Sequence, residues 1–236
     1  MAKKVWQADG SDLHPLVEDY TVGDDYKIDI DLIEFDILAS KAHAKMLAEQ
    51  SVLTNSELKC LIIALDELLA MIRKGEFTID KSQEDGHTAI EQFLTEKCGE
   101  AGKKIHTGRS RNDQSLVMIR LFSKKSLTNI QQELDALVKA YNSVVLRAGK
   151  QNMPGYTHMQ KAMPTTVGVW LGAYKDGFSD ATHSLRRAIE YIDQNPLGSA
   201  SGFGISNFEN NRELTTKELG FASVQENPIY CGISRG

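Results

Sequence analysis

The longest run of periodic hydrophobic positions in the chain extends from Arg111 to Ala148. This stretch contains no Gly or Pro, and its apolar residues recur at mostly three- and four-residue steps. That spacing places the apolar side chains along one side of an α-helix. A second stretch, residues 167–193, repeats the pattern. The two stretches predict a pair of long amphipathic helices, which is typical of a helical bundle.

Shorter periodic stretches predict three helices before the first long one, at residues 31–50, 54–74 and 87–98. Thr54 and Glu57 have the spacing of a capping box, and Gly75 and Gly99 are suited to end the second and third of these helices. Residues 1 to about 30 show little periodicity, so the sequence predicts an extended arm there.

Turn residues separate the elements that follow the first long helix. Pro154-Gly155 predicts a turn within residues 153–160, and Pro164 is suited to start the second long helix. The glycine- and serine-rich residues 196–204 are either a plain connector, which composition favours, or a set of backbone N–H donors around an anion. Asn210 or Asn211 should cap a short helix that Gly220 ends.

These elements predict an all-α fold with two domains. Residues 1–110 should form a small N-terminal helical domain with its arm, and residues 111–236 the first part of a long-helix bundle. Two long helices leave faces uncovered, so further helices should come from additional sequence or from other subunits. Gly168, Gly172 and Gly177 each cost about 1 kcal/mol relative to Ala in a helix, which indicates close helix-to-helix approaches.

Composition narrows the class of protein. The 236 residues can bury a sizeable core, and a formal net charge of -5 gives no electrostatic reason to expect a nucleic-acid partner. No stretch approaches the roughly 18 apolar residues of a membrane span, so a cytoplasmic protein is expected. Three widely spaced cysteines, Cys60, Cys98 and Cys231, lack metal-site spacing and are expected to be reduced thiols.

The candidate chemistry begins at the start of the first long helix. Arg109, Ser110, Arg111 and Asn112 lie there in sequence, and Ser110 or Asn112 can cap the first turn. Two cations at a helix N-terminus oppose the helix dipole unless an anion is bound. The segment is therefore either a hydrophilic helix start or a binding site for a carboxylate or phosphate.

Histidines supply the other candidate groups. His158 follows the Pro-Gly turn and is either a solvent-facing residue or a general acid or base. His87 and Glu91 have the i, i+4 spacing of a helical pair, and pairing is favoured over a role in a site. His43 is interpreted as structural. Because no P-loop, dinucleotide or zinc-protease motif occurs, the enzymatic option is proton abstraction beside a carboxylate without cofactor or metal.

Three segments occur in an order that resembles argininosuccinate lyase, a member of the fumarase/aspartase superfamily. They are HTGRSRNDQ at residues 106–114, MPGYTHMQ at 153–160 and NPLGS at 195–199. The resemblance also includes SKAHAKML at residues 40–47 and covers nearly the whole chain, as the N-terminal half of the usual enzyme. It implies a homotetramer whose central helical bundle is shared and whose active sites are assembled from three subunits.

The implied reaction is the reversible elimination of argininosuccinate to arginine and fumarate in arginine biosynthesis, a carbon–nitrogen lyase reaction without metal or organic cofactor. By position, the resemblance assigns His158 to the catalytic network, Asn112 and Thr157 to substrate binding, and Arg109, Ser110 and Arg111 to the neighbourhood of the bound dicarboxylate. Gln160 and His87 match positions at the pocket wall.

Two departures from the family bear on activity. Asp25 stands about where the family commonly has a substrate-binding serine, and the family's mobile loop with its catalytic serine does not occur in the sequence. We therefore expect little turnover from these 236 residues alone. A noncatalytic structural protein on the same scaffold, or a sister lyase with another fumarate-yielding substrate, is the alternative, and the segment TGRSRND argues against the sister lyase.

Overall fold

The computed structural model describes residues 14–206 and 210–235. The described residues of Met1–Phe122 and Gln194–Gly236 form one compact unit, and Ser123–Asp193 form a second. This grouping differs from the domain boundary predicted at residue 110, which stays a prediction.

The described chain is mainly helical, which confirms the all-α fold class. Its helices are α1 Pro15–Val22, α2 Asp25–Ile28, α3 Ile33–Glu49, α4 Asn55–Arg73, α5 Gly86–Cys98, α6 Glu100–Lys104, α7 Arg111–Ala148, α8 Val167–Ile192, α9 Arg212–Leu219 and α10 Pro228–Ile233. Two 3-10 turns lie at Asp29–Asp31 and Lys81–Gln83, and four short strands are β1 Asn152–Thr157, β2 Gln160–Thr166, β3 Gln194–Asn195 and β4 Ser223–Val224. Strands β1 and β2 pair antiparallel, and β3 pairs with β4 in parallel.

The core of the first unit is built from the helices that hydrophobic periodicity predicted. Apolar side chains of α3, α4 and α5 meet in one buried cluster that includes Ile37, Leu47, Leu65 and Leu94. Burial of such side chains contributes roughly 1.5–3 kcal/mol each. The predicted capping box is confirmed, because the backbone N–H of Glu57 donates to Thr54 Oγ1 and that of Thr54 donates to Glu57 Oε2.

Cys60 of α4 and Cys98 of α5 form a disulfide, so the prediction of three reduced thiols was wrong at these two positions. The two cysteines are 38 residues apart in the sequence, so spacing could not predict the bond. Packing of α4 on α5 brings their Cα atoms to 6.0 Å. Cys231 is a free, buried thiol.

The arm was predicted as extended, but α1, α2 and the first 3-10 turn occupy most of residues 15–31. These elements have eight, four and three residues, which is too short for a hydrophobic period to show. The part of the arm at residues 1–13 lies outside the described residues.

In the second unit, the turn predicted within residues 153–160 is part of a β-hairpin. Strands β1 and β2 are joined by His158 and Met159, whose φ angles of 49° and 62° are both left-handed. Pro164 lies in β2 opposite Pro154. The helix start predicted at Pro164 was wrong, since Thr166 caps α8 by accepting from the backbone N–H of Val169 at 3.2 Å.

Helix α8 is largely uncovered. Thr182 is its buried residue within the described chain. A side-chain carbon on Gly168 would lie 2.8 Å from the Gly149 carbonyl oxygen, which confirms a close approach there. No described atom lies within 4 Å of such a carbon on Gly172 or Gly177, so the expected close approach is not made by the described residues. Among the described residues, no helix combines the length and apolar character needed to cross a membrane.

Candidate active site

The start of α7 is capped by side chains of its own first turn. Ser110 Oγ accepts from the backbone N–H of Asn112 at 3.3 Å, and the backbone N–H of Ser110 donates to Asp113 Oδ1 at 2.8 Å. This exchange satisfies two N–H groups that a helix start leaves unpaired. Of the two caps that the sequence allowed, the structure uses Ser110.

Asp113 also fixes the glycine- and serine-rich loop. Its second carboxylate oxygen accepts from the backbone N–H groups of Gly198 at 2.9 Å and Ala200 at 3.2 Å. The Asp113 side chain is fully buried. The plain connector that composition favoured was therefore the wrong choice, since the loop binds an anion with its backbone and that anion is a carboxylate of the chain itself.

Arg109 faces the interior of the first unit. Its residue is 8% exposed, and Nη1 donates to Ser40 Oγ at 2.9 Å. The nearby Asp36 carboxylate opposes its charge, and burial without this carboxylate would be costly. Its predicted place beside a bound dicarboxylate stays a prediction.

Arg111 is paired with groups that precede and begin α5. Nη2 donates to Thr88 Oγ1 at 3.0 Å, while Nη1 lies 3.2 Å from Asp85 Oδ2 and 3.4 Å from Glu84 Oε1. Two carboxylates of the chain thus balance the charge of Arg111, one of the two cations that oppose the helix dipole.

His87 is held between a carboxylate and a hydroxyl. Nδ1 hydrogen bonds to Asp36 Oδ2, and Nε2 lies 3.2 Å from Ser115 Oγ on α7. The predicted pairing of His87 with Glu91 was wrong; the Glu91 carboxylate instead lies 4.0 Å from His106 Nδ1. The partner of His87 comes from α3, which spacing within one helix could not indicate.

Burial and neighbouring charges shift the pKa values of His87 and Asp36. Burial acts to lower the pKa of His87, but the carboxylates of Asp36, Asp85 and Asp29 oppose this effect and raise the pKa above its ordinary value. Burial likewise acts to raise the pKa of Asp36, yet the charges of His87 and Arg109 hold it below its ordinary value. Each member of the pair therefore favours the charged form of the other.

His43 is structural, as predicted. It is buried, and Nε2 lies 2.9 Å from the carbonyl oxygen of Thr107, which ties α3 to the segment before α7. Burial and the positive charge of Arg109 hold the pKa of His43 well below its ordinary value, so the imidazole is neutral.

Asn112 is exposed at the helix start and lies between two polar side chains. Its Nδ2 donates to Ser110 Oγ at 3.1 Å, and its Oδ1 accepts from Arg235 Nη2 at 2.9 Å. Sequence reasoning missed Arg235, because 123 residues separate it from Asn112 and no spacing rule links them. It also missed Asp113, whose carboxylate within the TGRSRND segment was the available signal.

The remaining predicted site residues belong to the second unit. Thr157 and Gln160 are the last cross-strand pair of the hairpin, and His158 lies between them in the left-handed turn. All three are exposed. A cleft of about 690 Å³ adjoins the hairpin and is lined by Tyr156, Thr157, Met163, Trp170 and Tyr174, among others.

The structure thus brings five predicted residues together in the first unit, namely His87, Arg109, Ser110, Arg111 and Asn112, whereas Thr157, His158 and Gln160 belong to the second unit. Asp25 is exposed at the start of α2. Within the described ranges, no group of three or more His, Cys, Asp or Glu side chains could hold a metal ion.

Comparisons with known proteins define the class. A family model described as "Lyase" matches residues 15–230. An argininosuccinate lyase of Thermotoga neapolitana is 46% identical over 236 residues, which cover the whole chain and 59% of that protein. An argininosuccinate lyase of Phocaeicola vulgatus is 41% identical over the whole chain and 52% of its own length.

Solved structures of lyases have a fold similar to that of this chain. An EDDS lyase in complex with formate superposes with a TM-score of 0.70 at 28% identity, over 91% of this chain and 42% of that one. A fumarate lyase:delta crystallin from Brucella melitensis bound to cobalt gives a TM-score of 0.72 at 18% identity, over 86% and 49% of the two chains, and this likeness concerns the fold alone.

The helical fold is that of the fumarase/aspartase superfamily. Within that class, the chain belongs to the lyase family, and it spans about half the length of the curated relatives it matches.

Proposed function

We propose that the complete protein carrying this chain is an argininosuccinate lyase, a carbon–nitrogen lyase that reversibly converts argininosuccinate to arginine and fumarate. The observation that carries the proposal is the 46% identity with an argininosuccinate lyase along the entire chain. The EDDS lyase, whose name indicates another substrate, is 28% identical, which favours argininosuccinate. The ordered segments at residues 106–114, 153–160 and 195–199 support the same choice.

The site residues divide between binding and proton transfer. Asn112 and Thr157 bind substrate, with Ser110 beside Asn112, and His158 belongs to the network that moves protons. Arg109 and Arg111 lie beside the dicarboxylate, where their own carboxylate partners limit the net positive charge that they add. Gln160 and His87 form part of the pocket wall.

The reaction begins when a base removes a proton from the carbon next to a substrate carboxylate. The electron pair left on that carbon is stabilised as an aci-carboxylate, which requires fixed hydrogen-bond donors and cations around the carboxylate oxygens. The C–N bond then breaks, the carbon–carbon double bond of fumarate forms, and the departing guanidino nitrogen takes a proton. Positioned acid–base groups contribute about 10²–10⁴-fold to such steps.

The active enzyme is a homotetramer with sites shared between subunits, and it works in the cytoplasm in arginine biosynthesis without metal or organic cofactor. One feature of the chain supports a shared site, because α8 leaves large apolar side chains exposed, including Val169 at 67% and Trp170 at 51%.

The test is fumarate formation from argininosuccinate, followed by ultraviolet absorbance, with the complete protein and with the 236-residue chain. We expect steady turnover from the complete protein and little or none from the chain alone. Calorimetric titration with argininosuccinate, arginine, fumarate and AMP separates the alternatives. Response to none of these ligands would favour a noncatalytic scaffold protein, and a response to AMP without one to arginine would favour a sister lyase.

A further inference from the structure

Arg235 is a cation in direct contact with Asn112, a proposed substrate-binding residue. Its Nη2 donates to Asn112 Oδ1 at 2.9 Å, which leaves Asn112 Nδ2 directed to Ser110 Oγ at 3.1 Å. Both Arg235 and Asn112 are exposed. One hydrogen bond engages only part of a guanidinium that carries five N–H donors.

Among the described residues, no carboxylate balances the charge of Arg235, in contrast to the charges of Arg109 and Arg111. Arg109 is opposed by Asp36, and Arg111 lies 3.2 Å from Asp85. In the described part of the chain, no carboxylate pairs with Arg235. For a substrate carboxylate placed beside Asn112, the positive charge without a carboxylate partner is therefore that of Arg235. The two arginines of the TGRSRND segment already have carboxylates beside them.

The backbone before Arg235 is fixed by buried side chains. Ser234 Oγ accepts from Arg120 Nη2 at 3.0 Å and from Gln225 Nε2 at 2.8 Å. Arg120 is 6% exposed and belongs to α7, and its Nη1 donates to the Gln194 carbonyl oxygen at 2.7 Å. Helix α7 thus carries Asn112 and also anchors the residue next to Arg235, so both groups are positioned from one rigid element.

We propose that Arg235 binds a carboxylate of the dicarboxylate substrate, together with Asn112. This role rests on the proposed lyase function and adds a residue that the family resemblance did not assign. The planar guanidinium pairs with both oxygens of a carboxylate, and Asn112 Nδ2 is a further donor at the same place. The contact seen between Arg235 and Asn112 keeps the guanidinium at this position before substrate arrives.

The test uses the complete protein and two measurements, the Kd of fumarate by calorimetry and the KM of argininosuccinate. Replacing a guanidinium at a carboxylate contact should weaken binding about tenfold or more, so Arg235→Gln should raise both constants by that factor. Arg235→Lys keeps the charge but loses the paired N–H groups and should fall between Arg235→Gln and the unchanged protein. Arg187→Gln is the matched control, because Arg187 is 85% exposed in its side chain and pairs with Glu190 of the same helix.

The outcomes separate this proposal from the proposed function. Fumarate formation by the unchanged protein, with unaltered Kd and KM in Arg235→Gln, would overturn the role of Arg235 and leave the lyase function standing. Absence of turnover would overturn the lyase function, and fumarate binding would then decide on Arg235: binding that Arg235→Gln weakens supports the role, and no binding at all refutes it. The unfolding midpoints of the three proteins should be equal. Equal midpoints show that a change in Kd or KM does not come from misfolding of Arg235→Gln or Arg235→Lys.

Discussion

The Asp113 carboxylate accepts backbone N–H groups from Ser110, Gly198 and Ala200. Hydrogen bonds to a charged group contribute about 1.5–3 kcal/mol each, and donors left unpaired in the interior add to the loss. Asp113→Ala should therefore lower the free energy of unfolding by about 3 kcal/mol or more, measured by urea denaturation.

Asp176→Ala is the control for Asp113→Ala, because Asp176 is 73% exposed in its side chain and pairs with the adjacent Lys175. Its effect should stay within about 0.5 kcal/mol. Equal effects of the two substitutions would show that the Asp113 contacts contribute nothing particular to the fold.

The Asp36–His87 pair should make stability fall at alkaline pH. The folded protein binds the His87 proton more tightly than the unfolded chain does, because its pKa is raised. The resulting stabilisation is complete below about pH 6.5 and is lost as pH rises through the folded-state pKa. Urea denaturation at intervals above about pH 6.5 should show this loss, with a slope of at most about 1.4 kcal/mol per pH unit.

His87→Gln should remove this alkaline loss, and it should lower stability below the folded-state pKa of His87, where it leaves the buried Asp36 with less compensating charge. His43→Gln is the matched comparison. The pKa of His43 is lowered in the fold, so its contribution is lost as pH falls below about 6.5 and the alkaline slope should persist in this variant. Parallel alkaline curves for His87→Gln and the unchanged protein would contradict the proposed ion pair.

At the scale of elements, the disulfide between Cys60 and Cys98 joins α4 to α5. Closing a loop of this length stabilises a fold by about 2–4 kcal/mol, mainly through the unfolded chain. The double substitution Cys60→Ser/Cys98→Ser should cost about that much in free energy of unfolding. Dithiothreitol should destabilise the unchanged protein similarly and leave the double variant unaffected.

Thiol titration of the unfolded, unreduced protein checks the disulfide directly. Cys231 is the free cysteine, so one thiol should react. Reaction of all three would contradict the pairing and restore the expectation drawn from composition.

Sequence patterns predicted the long elements well and the short ones poorly. Helices α7 and α8 were predicted within a residue of their observed ends. A hydrophobic period repeated over many helical turns is a stronger signal than the local preferences of single residues. The hairpin was missed, since each strand has six or seven residues and two prolines interrupt the alternation. Its turn lies within the predicted residues 153–160, but it is formed by His158 and Met159 and not by Pro154-Gly155, which belong to β1.

At the scale of the whole molecule, the proposed association between copies of the chain rests on apolar side chains of α8. Val169, Trp170 and Tyr174 are at least half exposed, and exposed apolar patches mark interaction sites. Sedimentation of the complete protein should show a tetramer, and Trp170→Lys should shift it toward smaller species. A monomer at all concentrations would contradict the shared-site proposal.

The candidate site was predictable only where its residues are neighbours in sequence. The TGRSRND segment located the start of α7, and its chemistry suggested an anion. The partners that balance Arg109 and Arg111, namely Asp36, Glu84 and Asp85, come from other elements, so their effect on net charge could not be derived from spacing. Arg235 likewise reaches Asn112 only through the fold.

The proposed lyase function is tested most directly at His158. The left-handed φ of 49° at this residue is a conformation that Asn adopts readily, so His158→Asn should keep the hairpin while removing the imidazole. In the complete protein, kcat for fumarate formation from argininosuccinate should fall about 10²-fold or more, with KM little changed. The control His183→Asn, at an exposed position of α8, should leave kcat unaltered. An unchanged kcat in His158→Asn would contradict the account.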